Sequence, residues 1–192
     1  MIKDLIIRNR SYRRFYQKEA IGADVMLDMI DCARNSASAA NLQPLRYLIT
    51  DNDTTNRTVF SCLRWAGYLS DWQGPEEGEK PSGYIVILGI RGHEKNSHYD
   101  AGIAVQSMLL KAVETGWGGC IFAAIDRERL ARELGIPKKM EILLVLALGK
   151  PKEKVILHDI DEQDDIRYWR DQEGVHHVPK RRLKDIVIRI DS

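Results

Sequence analysis

The chain has 192 residues, 44% of them hydrophobic and 30% charged, the balance of a globular protein rather than a disordered one. A chain of this length buries enough surface to fold without a disulfide or a metal. With 29 Lys and Arg against 28 Asp and Glu, its net charge of +1 sets up no field that would attract nucleic acid or an anionic membrane. Cys32, Cys62 and Cys120 form no CxxC pair and leave an odd count, which argues against a disulfide framework or a zinc ribbon and fits a reducing cytoplasm. Residues 1–14 contain no continuous signal-peptide core, and no apolar stretch approaches the roughly 20 residues that span a bilayer. The expectation is a soluble cytoplasmic protein with no nucleic-acid or membrane partner.

In chain order, Ile2, Leu5 and Ile6 fall at helical spacing and predict a short amphipathic helix ahead of the basic cluster Arg10–Arg14. Val25, Met26, Met29, Ile30 and Ala33 make one apolar stripe and predict a second helix. The small polar run 35–41 reads as a loop or helix end, and Pro44 biases Gln43 toward extended geometry before a strand at 45–50. Residues 69–82, rich in Gly, Pro and Asp, read as a surface loop of a length that often carries function. Two continuous apolar runs, 84–88 and 142–148, predict strands buried on both faces. Between them come a helix at 101–113 that is apolar nearly all round, a short strand at 120–125, and a helix capped by Asp126 and stopped by Gly135 and Pro137. The chain then turns polar from 149 to 178 and ends in a strand candidate at 186–190. No internal repeat occurs, and long helices mixed with apolar strands indicate an α+β protein, one central sheet covered by helices.

Most motifs that invite a chemical reading do not support it. Gly116-Trp117-Gly118-Gly119 follows a helix and opens a strand, the reverse of a dinucleotide-binding loop, so close chain packing is the favoured reason for its glycines. His93 and His98, and the adjacent His176 and His177, match no zinc spacing. There is no G-x-S-x-G elbow, and no cysteine sits in a nucleophile context. Two basic clusters remain. Arg10-Ser11-Tyr12-Arg13-Arg14-Phe15 combines guanidinium forks with a hydroxyl, suited to a phosphate dianion, and Lys180-Arg181-Arg182 is a second such group. Each alone reads as a solvated face, and only convergence on one anion would make them a site.

The ordered set R-S-x-R-x-F (10–15), S-A-x-N-x-Q-P (38–44), D-A-G-I-A-x-Q (100–106), G-x-G (116–118), L-G-I-P (134–137), L-A-L-G-K-P (146–151) and V-P-K-R (178–181) resembles the FMN-dependent nitroreductase family. The matches span nearly the whole chain in family order. The resemblance implies a central, mostly antiparallel sheet flanked by helices, in one domain over 1–192. It also implies an intertwined homodimer with two FMN sites at the subunit interface. It assigns Arg10, Ser11 and Arg13 to the FMN phosphate and ribityl, and Lys180, Arg181 and Arg182 to completion of the phosphate site. Ala37, Ser38, Asn41 and Gln43 would line the ring and ribityl, and Gly118 and Gly119 would approach the isoalloxazine. Asn9, Ala37 and Leu45 depart from the Arg, Pro and Trp that the family often has there.

The implied activity is NAD(P)H-driven, two-electron reduction of nitroaromatics, quinones or similar acceptors, with the chemistry carried by FMN rather than by a catalytic side chain or metal. Reductive dehalogenation, flavin fragmentation and non-catalytic flavin storage are the related alternatives. Trp65, Tyr68 and Trp72 stand where the family varies its substrate pocket, and equally suit a packed hydrophobic cluster. With the resemblance, residues 150–192 are expected to form an arm reaching the partner protomer, which would give Tyr168 and Trp169, embedded in an acidic stretch between Asp159 and Asp171, a surface to pack on; without it, a self-packed surface loop is the simpler reading.

Overall fold

The computed structural model describes residues 1–189, with only the backbone at Glu94 and Lys95. They divide into two compact units, one of residues 1–65 and 74–152, the other of 66–73 and 153 onward. The division falls close to the start of the arm read from the sequence.

The first unit is built on a four-stranded antiparallel sheet in the order β1-β2-β4-β3, where β1 is Leu45–Thr50, β2 Gly83–Ile90, β3 Gly118–Phe122 and β4 Met140–Gly149. Side chains alternate across a pleated sheet, so a continuous apolar run serves two faces. Ile85, Ile87, Leu146 and Leu148 point into one core, with Met26 and Met29 of α2 (Ala23–Arg34) and Ala104 and Met108 of α4 (Glu94–Glu114). Tyr84, Val86, Val145 and Ala147 point into the other, with Val59 of α3 (Asp53–Ser61) and Leu130 of α5 (Arg127–Glu133). Each such side chain contributes roughly 1.5–3 kcal/mol on burial. The runs at 84–88 and 142–148 are therefore central strands, as their composition predicts.

Several boundaries move. The helix expected at 101–113 begins at Glu94 and is not buried all round, since Tyr99 and Ile103 are exposed. The strand expected at 120–125 is β3, two residues earlier. The helix α3 has only two apolar residues, Val59 and Phe60; it is capped by the Asn52 side chain, which accepts from the Thr55 amide at 2.9 Å. Asp126 caps α5 as expected, and Gly135 stops it at φ +64°.

The amino-terminal segment after α1 (Ile2–Arg8) is strapped over the sheet end. Phe15 is fully buried, and a Cβ on Gly149 would meet its ring at 2.9 Å. The Phe15 amide donates to the Glu79 carbonyl, the Tyr16 amide to Lys150 and the Lys152 amide to Arg14. The Glu79 carboxylate takes two bonds from Arg14, at 2.5 and 2.6 Å, and one from Lys152 at 2.8 Å.

The second unit is a small sheet in the order β5-β7-β6, where β5 is Val155–Ile160, β6 Trp169–Arg170 and β7 His176–Arg181. The polar stretch 149–178 thus holds regular strands rather than only a surface-packing arm. The last expected strand, 186–190, is corrected: Leu183–Ile186 is a helical turn, α6, residues 187–189 are irregular, and Ile190 lies outside the described residues. Among the described residues, its alternating apolar pattern has no neighbouring strand to pair with.

Two outcomes follow for the first unit. A Cβ at Gly119 would lie 2.6 Å from the Ala147 carbonyl oxygen. Gly119→Ala is therefore expected to cost about 1–3 kcal/mol in urea unfolding, because backbone cannot step aside as a flexible side chain can. The Arg14 bonds lower the Glu79 carboxyl from an ordinary 4.5 to about 2. A depressed carboxyl stabilises the fold above its unfolded value, and that contribution is lost as pH falls from about 4.5 toward 2. Glu79→Gln should lower the unfolding midpoint near neutral pH and shrink the gap to wild type as the pH falls through that window.

Candidate functional site

The basic segment before Phe15 is held by β3. Ser11 forms a parallel bridge with Gly119, whose carbonyl accepts from the Tyr12 amide at 3.0 Å. The neighbouring Gly118 has no room for a side chain, since a Cβ would meet Tyr12 and Pro151 at 2.6 Å each. Protein packing alone thus accounts for both glycines, in keeping with the reading of this run as a close chain approach.

Arg10 donates from Nη2 to the Ile6 carbonyl at 2.7 Å, while its Nε is buried without a hydrogen-bond partner among the described residues. Burial pulls its pKa down, the mark of a cation short of compensating charge. Arg13 donates to the Ser11 carbonyl at 3.3 Å, and the Ser11 side chain is exposed. An unsatisfied guanidinium N–H beside an open hydroxyl is equipped for an anion. Asn9, where the family often has Arg, is buried and bonds Gln106 of α4 at 3.5 Å.

The second expected segment, 37–43, is strained. Ala40, Asn41 and Gln43 have φ of +50°, +54° and +48°. Gln43 is thus left-handed rather than extended, so the bias from Pro44 has been overridden by the hydrogen bonds of the loop. Non-glycine residues in this region cost about 1–3 kcal/mol each and persist only where their surroundings over-determine them. Asp100 of α4 supplies that constraint: it is buried, accepts from the Ser38 hydroxyl at 2.5 Å and the Ala39 amide at 3.0 Å, and Ser38 Oγ in turn accepts from the Gln43 amide at 2.9 Å. The loop roofs a cavity of about 150 Å³ lined by Ser36, Ala37, Ser38, Gln43, Tyr47 and Asp100. Burial, helped by the Asp100 charge, pushes the Tyr47 hydroxyl up. Asp100 opens the D-A-G-I-A-x-Q motif, but the sequence assigns it no role at the site. A lone carboxylate within an apolar helical run was the available signal.

The remaining expected residues lie elsewhere. Lys180, Arg181 and Arg182 belong to the second unit. There Arg181 donates to the Glu162 carbonyl at 2.5 Å and Arg182 pairs with Asp161 at 2.6 Å, whereas Lys180 is exposed. Trp65 packs on Phe60 and Phe122, with ring centroids 5.4 and 4.6 Å away, and belongs to the α3–α5 core. Tyr68 packs on Tyr168 at 4.9 Å, and Trp72 lies under the Arg170 guanidinium at 4.6 Å. All three aromatics have packed neighbours, which favours the cluster reading for these side chains. Tyr168 and Trp169 are likewise packed within their own unit, although Trp169 stays 45% exposed. Among the described residues, no His, Cys, Asp and Glu group is arranged to hold a metal, and no helix is long and apolar enough to cross a membrane.

The chain is similar to known proteins along most of its length. Residues 83–150, from β2 through β4, match the model of the nitroreductase family. MhqN of Bacillus subtilis, whose name assigns it provisionally as an NAD(P)H nitroreductase, is 22% identical over 180 residues, covering 77% of this chain and 87% of that protein. An NADH dehydrogenase of Thermus thermophilus is 21% identical, covering 79% and 87%. Among solved structures, a nitroreductase family protein from Clostridium novyi NT superposes with a TM-score of 0.68 at 23% identity, over 79% of this chain and 86% of that one. An FMN-dependent nitroreductase from Clostridium difficile superposes at 0.63 and 21% identity, over 78% and 87%. Residues 83–150 carry the sequence pattern of the nitroreductase family, and the chain has the fold of that family's proteins.

Proposed function

We propose that this protein is an FMN-dependent oxidoreductase that uses NADH or NADPH to reduce organic acceptors such as nitroaromatics or quinones. The observation that carries the reading is the buried, unpartnered Arg10 Nε beside Ser11, on the strap that β3 pins through Gly119. A phosphate dianion is the ligand that such a group lacks, and the likeness to an FMN-dependent nitroreductase supports FMN as its source. Arg10, Ser11 and Arg13 would hold the phosphate, with Lys180 completing the charge and Arg181 and Arg182 flanking it. Ala37, Ser38, Asn41 and Gln43, on the loop that Asp100 anchors, would present backbone and amide groups to the cofactor, and the packed segment at Gly118 and Gly119 would lie near it. The chemistry FMN supplies when bound is two-electron transfer from a nicotinamide to an acceptor. The chain's own work is to bind and orient; it needs no nucleophile or metal.

The homodimer belongs to the same reading. Ile2 and Ile6 of α1 and Tyr99 and Ile103 of α4 are exposed apolar side chains on helices that pack together. Leu183, Ile186 and Ile188, near the end of the arm, are exposed as well. A second copy of the chain is the partner that would cover them.

The purified protein should show flavin absorbance or acquire it on adding FMN, and anaerobic NADH or NADPH should bleach it. Failure of FMN to bind at excess would end the reading. Arg10→Gln should weaken FMN binding about 10- to 100-fold, as expected for one charge-assisted bond. Ile103→Glu, at a site exposed in the protomer, should give a folded monomer by analytical ultracentrifugation that no longer retains FMN.

A further inference from the structure

The second unit contains a chain of titratable side chains that the oxidoreductase reading does not use. His158 Nε2 lies 2.7 Å from His177 Nδ1, and His177 Nε2 lies 2.9 Å from Asp171 Oδ2. Trp169 stacks on both rings, 4.9 Å from His177 with planes 9° apart and 5.4 Å from His158. The bonds join three elements: His158 is on β5, His177 on β7, and Asp171 opens the turn after β6. β6 has only two residues, so backbone pairing alone makes a marginal sheet. These side-chain links therefore carry an unusual share of its order.

The donors and acceptors along the chain are determined by its carboxylate end. Asp171 is acceptor-only when ionised, and the His177 bond holds its carboxyl below the usual range. His177 therefore donates from Nε2, which leaves Nδ1 as the lone pair that accepts from His158 Nε2–H. One proton can be added at His158 Nδ1 with every bond intact. A second proton has only the His177 Nδ1 lone pair, where it would set two N–H groups facing each other at a 2.7 Å separation and place two cations in ring contact. We propose that His158, His177 and Asp171 form a latch that keeps the β5-β7-β6 sheet closed with one added proton and opens it with two.

The charged groups around the latch leave this count unchanged. Arg170 of β6 is engaged with the buried Glu153 carboxylate at 3.1 Å. Asp159 of β5 is the register partner of Lys180 on β7. His176 faces the other side of β7, against Tyr168 at 5.1 Å. Glu173, in the turn, is exposed and gives its backbone amide to Asp171.

The full-length protein can be followed by imidazole ¹⁵N NMR and by amide hydrogen exchange of residues 155–160 and 176–181, from neutral pH to below the ordinary imidazole value of about 6.5. The expected result is a first protonation with unchanged exchange, then a second that raises exchange at least about tenfold after correction for intrinsic rates, with loss of the His177 tautomer. His158→Gln is the decisive variant, since an amide can donate to His177 Nδ1 or turn to accept from it. It should stay protected across the whole range. Unchanged wild-type exchange after both rings are protonated, or opening of His158→Gln in parallel with wild type, would overturn the latch. None of these readouts depends on a cofactor.

Discussion

Burial of β2 and β4 on both faces is the constraint on which the first unit depends. A strand covered on one side needs apolar residues only at alternate positions, whereas these two present Tyr84 to Leu88 and Ile142 to Leu148 without a polar break facing solvent. Helices must then cover both sides, α2 and α4 on one and α3 and α5 on the other. The strand ends become the only places where polar groups can gather. The Ser11 strap, the Gly118–Gly119 entry into β3 and the Phe15–Gly149 contact all lie at one such end. Tight backbone approach there demands glycine whether or not a ligand lies nearby.

The same packing explains how a strained loop can persist. Three left-handed residues, Ala40, Asn41 and Gln43, would not survive so close together in an unsupported loop. Asp100, carried on the rigid helix α4, holds Ser38 and Ala39, and Ser38 holds Gln43. Removal of Asp100 would leave the loop without its anchor and the Ser38 hydroxyl without its acceptor. A helix buried against the sheet is thus used as a fixed mount for a loop at the surface.

The second unit follows a different logic. Its order rests on ion pairs, hydrogen bonds and ring contacts: Arg170 between Glu153 and Trp72, Tyr68 on Tyr168, and the His158–His177–Asp171 chain under Trp169. Such contacts are more sensitive to pH and salt than apolar burial is.

The sequence by itself determined the elements whose burial is local and periodic. The apolar runs of β2 and β4, the stripe of α2 and the Asp126 cap of α5 are legible because each records its environment in consecutive residues. The ordered motifs also pointed to the nitroreductase fold. Tertiary structure decided the rest. Helix α3 has only two apolar residues and is held by its Asn52 cap and by Asn56, which bonds Thr50 and Ser82. Gln43 took a left-handed conformation against its local preference because its amide had an acceptor in Ser38. The tail at 186–190 reads as a strand, but a strand needs a partner, and pairing between distant segments leaves no trace in the segment itself. The role of Asp100 stayed hidden for the same reason: the residue stands in the motif at 100–106, but its work comes from meeting Ser38, 62 residues earlier, and no local pattern encodes that meeting.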